Sequence, residues 1–200
     1  MTSSEEKKGG ISEKSEDLFN LAIDRDDIKQ MVQILPKDSG INPVAVEYEL
    51  QLLKILTVGW GISFFLEEHH EKTVLAESFW ESVRTFAQSI STMTASTTGQ
   101  EIDYFSTLKE RVEIYVNALQ VYSDVDDPSA VIGPTFAKVC GDEENPMIIA
   151  SGRSGAMTAT ASATGPICTA PTVANSSATD TGASSSLGRS ARFGCSGNRR

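Results

Sequence analysis

Gly99-Gln100-Glu101-Ile102-Asp103-Tyr104-Phe105-Ser106-Thr107-Leu108-Lys109-Glu110-Arg111-Val112-Glu113-Ile114-Tyr115-Val116-Asn117-Ala118-Leu119-Gln120-Val121-Tyr122-Ser123 carries the clearest period in the chain. Phe105, Leu108, Val112, Tyr115, Leu119 and Tyr122 recur at alternating steps of three and four. That spacing places them on one stripe of an α-helix, an a/d seam over about two and a half heptads. Thr98-Gly99-Gln100-Glu101 reads as a capping box opening a helix over about 99–123. The seam can face its own bundle or a second copy, so a homo-oligomer through the Phe105–Tyr122 helix is one expectation.

Upstream, Asn42-Pro43 is a helix start, with Asn capping the first amides and Pro at the first helical position. The helix that follows, over 43–68, is apolar on most of its surface beyond Leu50 and belongs near the centre of a helical assembly. Gly59 and Gly61 flank Trp60 and imply close approach of a neighbour, a kink or a break. Its most apolar window, Ile55 to Leu66, falls short of the roughly 20 residues a bilayer span needs. A third helix is predicted from Lys72 to Met93 on the stripe Leu75, Phe79, Val83, Phe86 and Ile90, with a Ser/Thr-rich loop after it. Before these, Leu18, Leu21, Ala22, Ile28, Met31 and Leu35 predict one helix over about 12–35, stopped by Pro36 and Asp38-Ser39-Gly40.

Asp127-Pro128 opens a shorter helix over about 128–140, kinked or split at Pro134 and stopped at Gly141. Asn145-Pro146 announces another, but the bulky apolar residues cease at Ser151-Gly152. The expected fold is all-α: an antiparallel helical bundle of four main helices plus one or two short C-terminal ones. The expected organisation is a disordered N-terminus at 1–11, an acidic helical domain at 12–151, and a low-complexity disordered tail at 152–200. Ser, Thr, Ala and Gly make up 33 of the last 50 residues, too little bulk to offset chain entropy. Two origins fit the change of composition: a native tail, or a shifted reading frame.

Residues 1–150 hold 12 basic and 26 acidic side chains, a net of −14, against +4 for the remainder. Such an acidic surface argues against nucleic acid and anionic membranes as partners and suits a basic protein partner. The start is polar, and the domain holds Cys140 alone, so a cytoplasmic setting is expected.

His69 and His70 are the only histidines. With Glu67 and Glu71 they form the one cluster offering imidazole and carboxylate to a metal ion. Glu67-x-x-His70 has the spacing of a di-iron bundle motif, but that chemistry needs a second such motif. Asp124-x-Asp126 lacks the later Gly and Glu of a calcium loop. No phosphate loop, HExxH or GxSxG occurs, so neither a catalytic residue nor a cofactor is expected. Trp80, Tyr115 and Tyr122 are candidates for a contact surface. The reading is a non-enzymatic protein-interaction or regulatory module. Its alternatives are a metal or small-ligand carrier with a pocket near Trp60 or Glu67–Glu71, then an enzyme using carboxylates alone.

Overall fold

A computed structural model describes residues 3–36, 41–66 and 71–168. Among these the fold is all-α, with α1 at Ser3–Ile23, α2 at Asp26–Gln33, α3 at Pro43–Phe65, α4 at Lys72–Thr98, α5 at Tyr104–Val121, α6 at Ser129–Val139 and α7 at Pro146–Cys168. Five helices are long and two short, one long helix more than expected.

α3 is the central element. It touches α1, α2, α4, α5 and α7, and its residues are buried around nearly the whole circumference, from Val46 to Ile62. Its start is built as the sequence implies: Asn42 Oδ1 accepts hydrogen bonds from Val44 N and Ala45 N at 3.1 and 3.3 Å. The helix runs unbroken through Gly59 and Gly61. Gly59 is there for close approach: a Cβ on it would collide with the Trp80 ring.

The seam of α5 faces this chain's own core. Leu108 and Tyr115 are buried, and Phe105, Val112 and Leu119 pack against the same cluster. α5 begins later than expected. Asp103 caps it by accepting from Ser106 N at 3.0 Å, whereas Thr98 ends α4 and Gly99 turns left-handed at φ 70°.

The predicted helix over 12–35 is two helices. Asp24 Oδ1 accepts from Asp26 N at 3.1 Å and starts α2, and α3 holds the break: Gln51 Nε2 donates to Ala22 O at 2.6 Å, and Lys54 Nζ donates to Asp24 O and to Asp27 Oδ1, both at 2.8 Å. Carbonyls at the end of α1 are thus capped from the side. The helix also starts at Ser3, inside the stretch 1–11 expected to be disordered, and Ile11 packs on the core. The stop at Asp38-Ser39-Gly40 lies outside the described residues.

α4 continues through the stretch read as a loop. Ser91, Thr92, Ser96, Thr97 and Thr98 each donate to the carbonyl four residues back at 2.8–2.9 Å. Hydroxyls that satisfy themselves on their own helix remove the competition that usually favours loops. Pro134 sits inside α6 without splitting it, and Gly141 takes φ 82° as the stop.

The largest departure is α7, which passes through the expected boundary at 151. Beyond the buried Ile148 its inward face is made of small residues: Ser151, Ala156, Ala159 and Ala163 are buried. A Cβ on Gly152 would sit 2.6 Å from Phe136 Cβ, and one on Gly155 would sit 3.0 Å from Leu50 Cδ2. Small side chains let α7 lie close on α3 and α6, so contact replaces bulk. The compact unit therefore includes all of α7. Residues 169–200 of the predicted tail lie outside the described residues.

Candidate functional site

Two places in the fold carry more than packing. One is a buried charge centre between α3, α5 and the end of α6. Glu49 is 7 % exposed. Both its oxygens are held by Arg111, whose Nε and a terminal nitrogen donate at 2.8 and 2.7 Å. A fork-to-fork pair of this kind gives each oxygen of the buried carboxylate a charge-assisted hydrogen bond. Tyr115, one turn along α5 from Arg111, is buried with its hydroxyl unpartnered among the described residues.

That centre sets the ionisation of its neighbours. Burial, then the Glu49 charge, hold the Tyr115 phenol far above its ordinary 10.0. Burial followed by the Glu49 charge pushes the Cys140 thiol up to about 12. Hydrogen bonds to Glu49 raise the Arg111 guanidinium. A thiol so raised stays protonated at neutral pH and is a poor nucleophile.

The second place is an apolar groove of about 600 Å³ where the ends of α3 and α5 meet α6. Trp60, Phe64, Phe65, Leu119, Pro128 and Ile132 line it. Phe64 is 72 % exposed and meets Phe65 edge-to-face at 5.3 Å. Trp60 is held from below, edge-on to Tyr115 at 6.2 Å. Ser123 and Pro128, both lining residues, bracket the turn that carries Asp124, Asp126 and Asp127. Asp124 and Asp126 are exposed, while Asp127 also caps α6, accepting from Ser129 N at 3.0 Å and Ser129 Oγ at 2.8 Å. The groove is thus apolar at its floor, and an acidic turn runs between two of its lining residues.

The sequence-based candidates fall out as follows. Glu67, His69 and His70 lie outside the described residues. Glu71 directly precedes α4, its carbonyl accepting from Leu75 N at 3.0 Å. Among the described residues no group of three or more His, Cys, Asp or Glu is placed to hold a metal. Tyr115 is no surface residue: at 1 % exposure it belongs to the core, because its position on the α5 seam points inward. Trp80 is half-buried over Gly59. Tyr122, at the end of α5, is 59 % exposed. Trp60, near which a carrier's ligand or metal pocket is the alternative expectation, lines the groove.

Sequence reasoning missed Phe64 and Phe65 as surface groups, because they continue the apolar run of α3 without a change of pattern. It also missed the Glu49–Arg111 pair, because Glu49 precedes the apolar stretch beyond Leu50 and stands beside a second carboxylate, Glu47. No helix among the described residues is long and apolar enough to cross a membrane. Comparison with known proteins finds no match among family models, curated sequences or solved structures.

Proposed function

We propose that this protein is a protein-interaction module whose groove at Trp60, Phe64 and Phe65 receives a basic amphipathic helix of a partner. The observation that carries the reading is an exposed pair of phenylalanines on the last turn of α3, beside an acidic turn. Bulky apolar side chains would fill the groove floor, as in other helix-in-groove recognition. Lys or Arg flanking them would meet Asp124 and Asp126, which supplies orientation and salt-sensitive attraction. The raised thiol of Cys140 and the Arg111-paired carboxylate of Glu49 favour binding over chemistry.

A fluorescent peptide of Leu and Lys with helical spacing tests this by anisotropy. The full chain is expected to bind it, with affinity falling as salt rises. Phe64→Asp abolishes binding, and Asp124→Asn with Asp126→Asn weakens it. A Leu/Glu peptide that binds equally, or Phe64→Asp without effect, overturns the reading.

A further inference from the structure

A separate cavity of about 200 Å³ lies away from the groove, among the last turn of α1 and the facing sides of α3, α4 and α5. Leu52, Ile55, Val83, Ala87 and Leu108 line it, and each of them is at most 6 % exposed. Close-packed interiors hold few voids larger than a water molecule. A space of this size among core side chains is a departure from that rule, and the side chains around it are mostly apolar.

The polar side chains around it are already engaged. The Tyr48 hydroxyl shares a hydrogen bond with the Thr107 side chain, and the Tyr104 hydroxyl meets Thr94 Oγ1 at 3.3 Å. Gln51 Nε2 donates to Ala22 O, and Gln51 Oε1 is sealed from solvent. Arg25, the charged residue among those lining the cavity, has a half-exposed side chain tied to Glu47 at 2.6 Å, which keeps its charge at the solvent edge. The interior therefore offers an entering molecule hydrocarbon and aromatic surface.

Size and polarity narrow the occupant. Water settles in a cavity only with two to four polar partners, whereas an apolar cavity of about 150 Å³ stays dry and takes benzene. About 200 Å³ then suits one ring with a small substituent. The Tyr48 and Tyr104 rings already meet edge-to-face at 6.0 Å, an arrangement that a further ring extends. We propose that this cavity binds a compact, uncharged single-ring molecule without a hydrogen-bonding substituent, walled by Ile55, Val83, Ala87 and Leu108.

Toluene and phenol test the proposal on the intact chain, because they share a shape and differ in a methyl against a hydroxyl. Calorimetry is expected to give one toluene per chain, bound roughly tenfold or more tightly than phenol, whose hydroxyl leaves water without gaining a partner. The methyl resonances of Ile55, Val83 and Leu108 are expected to move with the ring current of bound toluene, and those of Val116 in the groove to stay in place. Ala87→Leu adds volume at the cavity wall and is expected to abolish toluene binding in a chain that still melts cooperatively. Phenol bound as tightly as toluene, binding of neither, shifts confined to Val116, or toluene binding retained by folded Ala87→Leu overturns the proposal. The ligand pair and the methyl resonances decide on the unmutated chain even where the variant fails to fold. Groove variants such as Phe64→Asp are expected to leave toluene binding unchanged, so this site and the groove fail or stand separately.

Discussion

Arg111 on α5 holds both carboxylate oxygens of Glu49 on α3, joining residues 62 apart in sequence. The pair is the charged bolt between α3 and α5, beside a hydrogen bond between the Tyr48 and Thr107 side chains. Breaking a buried pair by removing one partner leaves a charge without compensation. Arg111→Met is therefore expected to destabilise the chain by about 3 kcal/mol, and Glu49→Gln by less, since the amide still accepts one hydrogen bond. Urea denaturation followed by circular dichroism checks both. An Arg111→Met midpoint equal to that of the parent chain contradicts the account.

The close packing of α7 predicts intolerance to added volume. Gly152→Val places methyl groups where Phe136 already sits, since the new Cβ alone falls 2.6 Å from Phe136 Cβ. A loss of about 1–3 kcal/mol is expected, the usual range for overpacking. Gly10→Ala, at an exposed position of α1 with nothing within 4 Å of its Cβ, is expected to be neutral or mildly stabilising. The contrast between the two in parallel melts is the test. A chain ended after Ala150 is expected to lose cooperative unfolding altogether.

Cys140 should behave as a shielded thiol. With Cys168 and Cys195 replaced by Ser, alkylation by iodoacetamide at pH 8 is expected to be at least tenfold slower in the folded chain than in denaturant. The direction follows from a thiol pushed up to about 12 from 9.0, since the thiolate is the reacting species. The same raised value favours the folded state below pH 9 and ceases to do so as pH climbs toward 12. Alkaline melts of the Cys140→Ala variant should accordingly lose part of the pH dependence seen in the parent.

Asp103 and Asp127 cap α5 and α6, and both are held below the ordinary 3.8, chiefly by hydrogen bonds from Ser106 and Ser129. Their contribution is complete above the unfolded value of about 3.8 and disappears as pH falls through the lowered folded values. Asp103→Asn with Asp127→Asn is expected to flatten the acid limb of a melting-temperature profile below pH 4 relative to the parent. An unchanged acid limb counts against the capping role.

Much of the fold is written locally. Asn42-Pro43 and the all-round apolar surface behind it specify α3 and its central place, and the seam of α5 points where its spacing says. What is not legible depends on partners far along the chain. The break between α1 and α2 is marked locally by Asp24, whose Oδ1 accepts from Asp26 N at 3.1 Å, but the Lys54 amine that holds the Asp24 carbonyl comes from thirty residues away. α7 is hidden for another reason: small residues score as a solvated tail by composition, and become a packing face only when a neighbour of the right shape lies against them. The candidate groove was legible at Trp60 and not at Phe64. The end of an apolar helix looks alike whether it is covered or bare.

The contact of the Trp80 ring on Gly59 also makes the molecule self-reporting. Trp80 reads the separation of α3 and α4, and Trp60, edge-on to Tyr115, reads that of α3 and α5. With Phe substituted for one indole at a time, the emission of the other becomes a two-channel optical gauge. Loosening on either flank of the central helix then shows as a change in colour at a known address, with no dye attached.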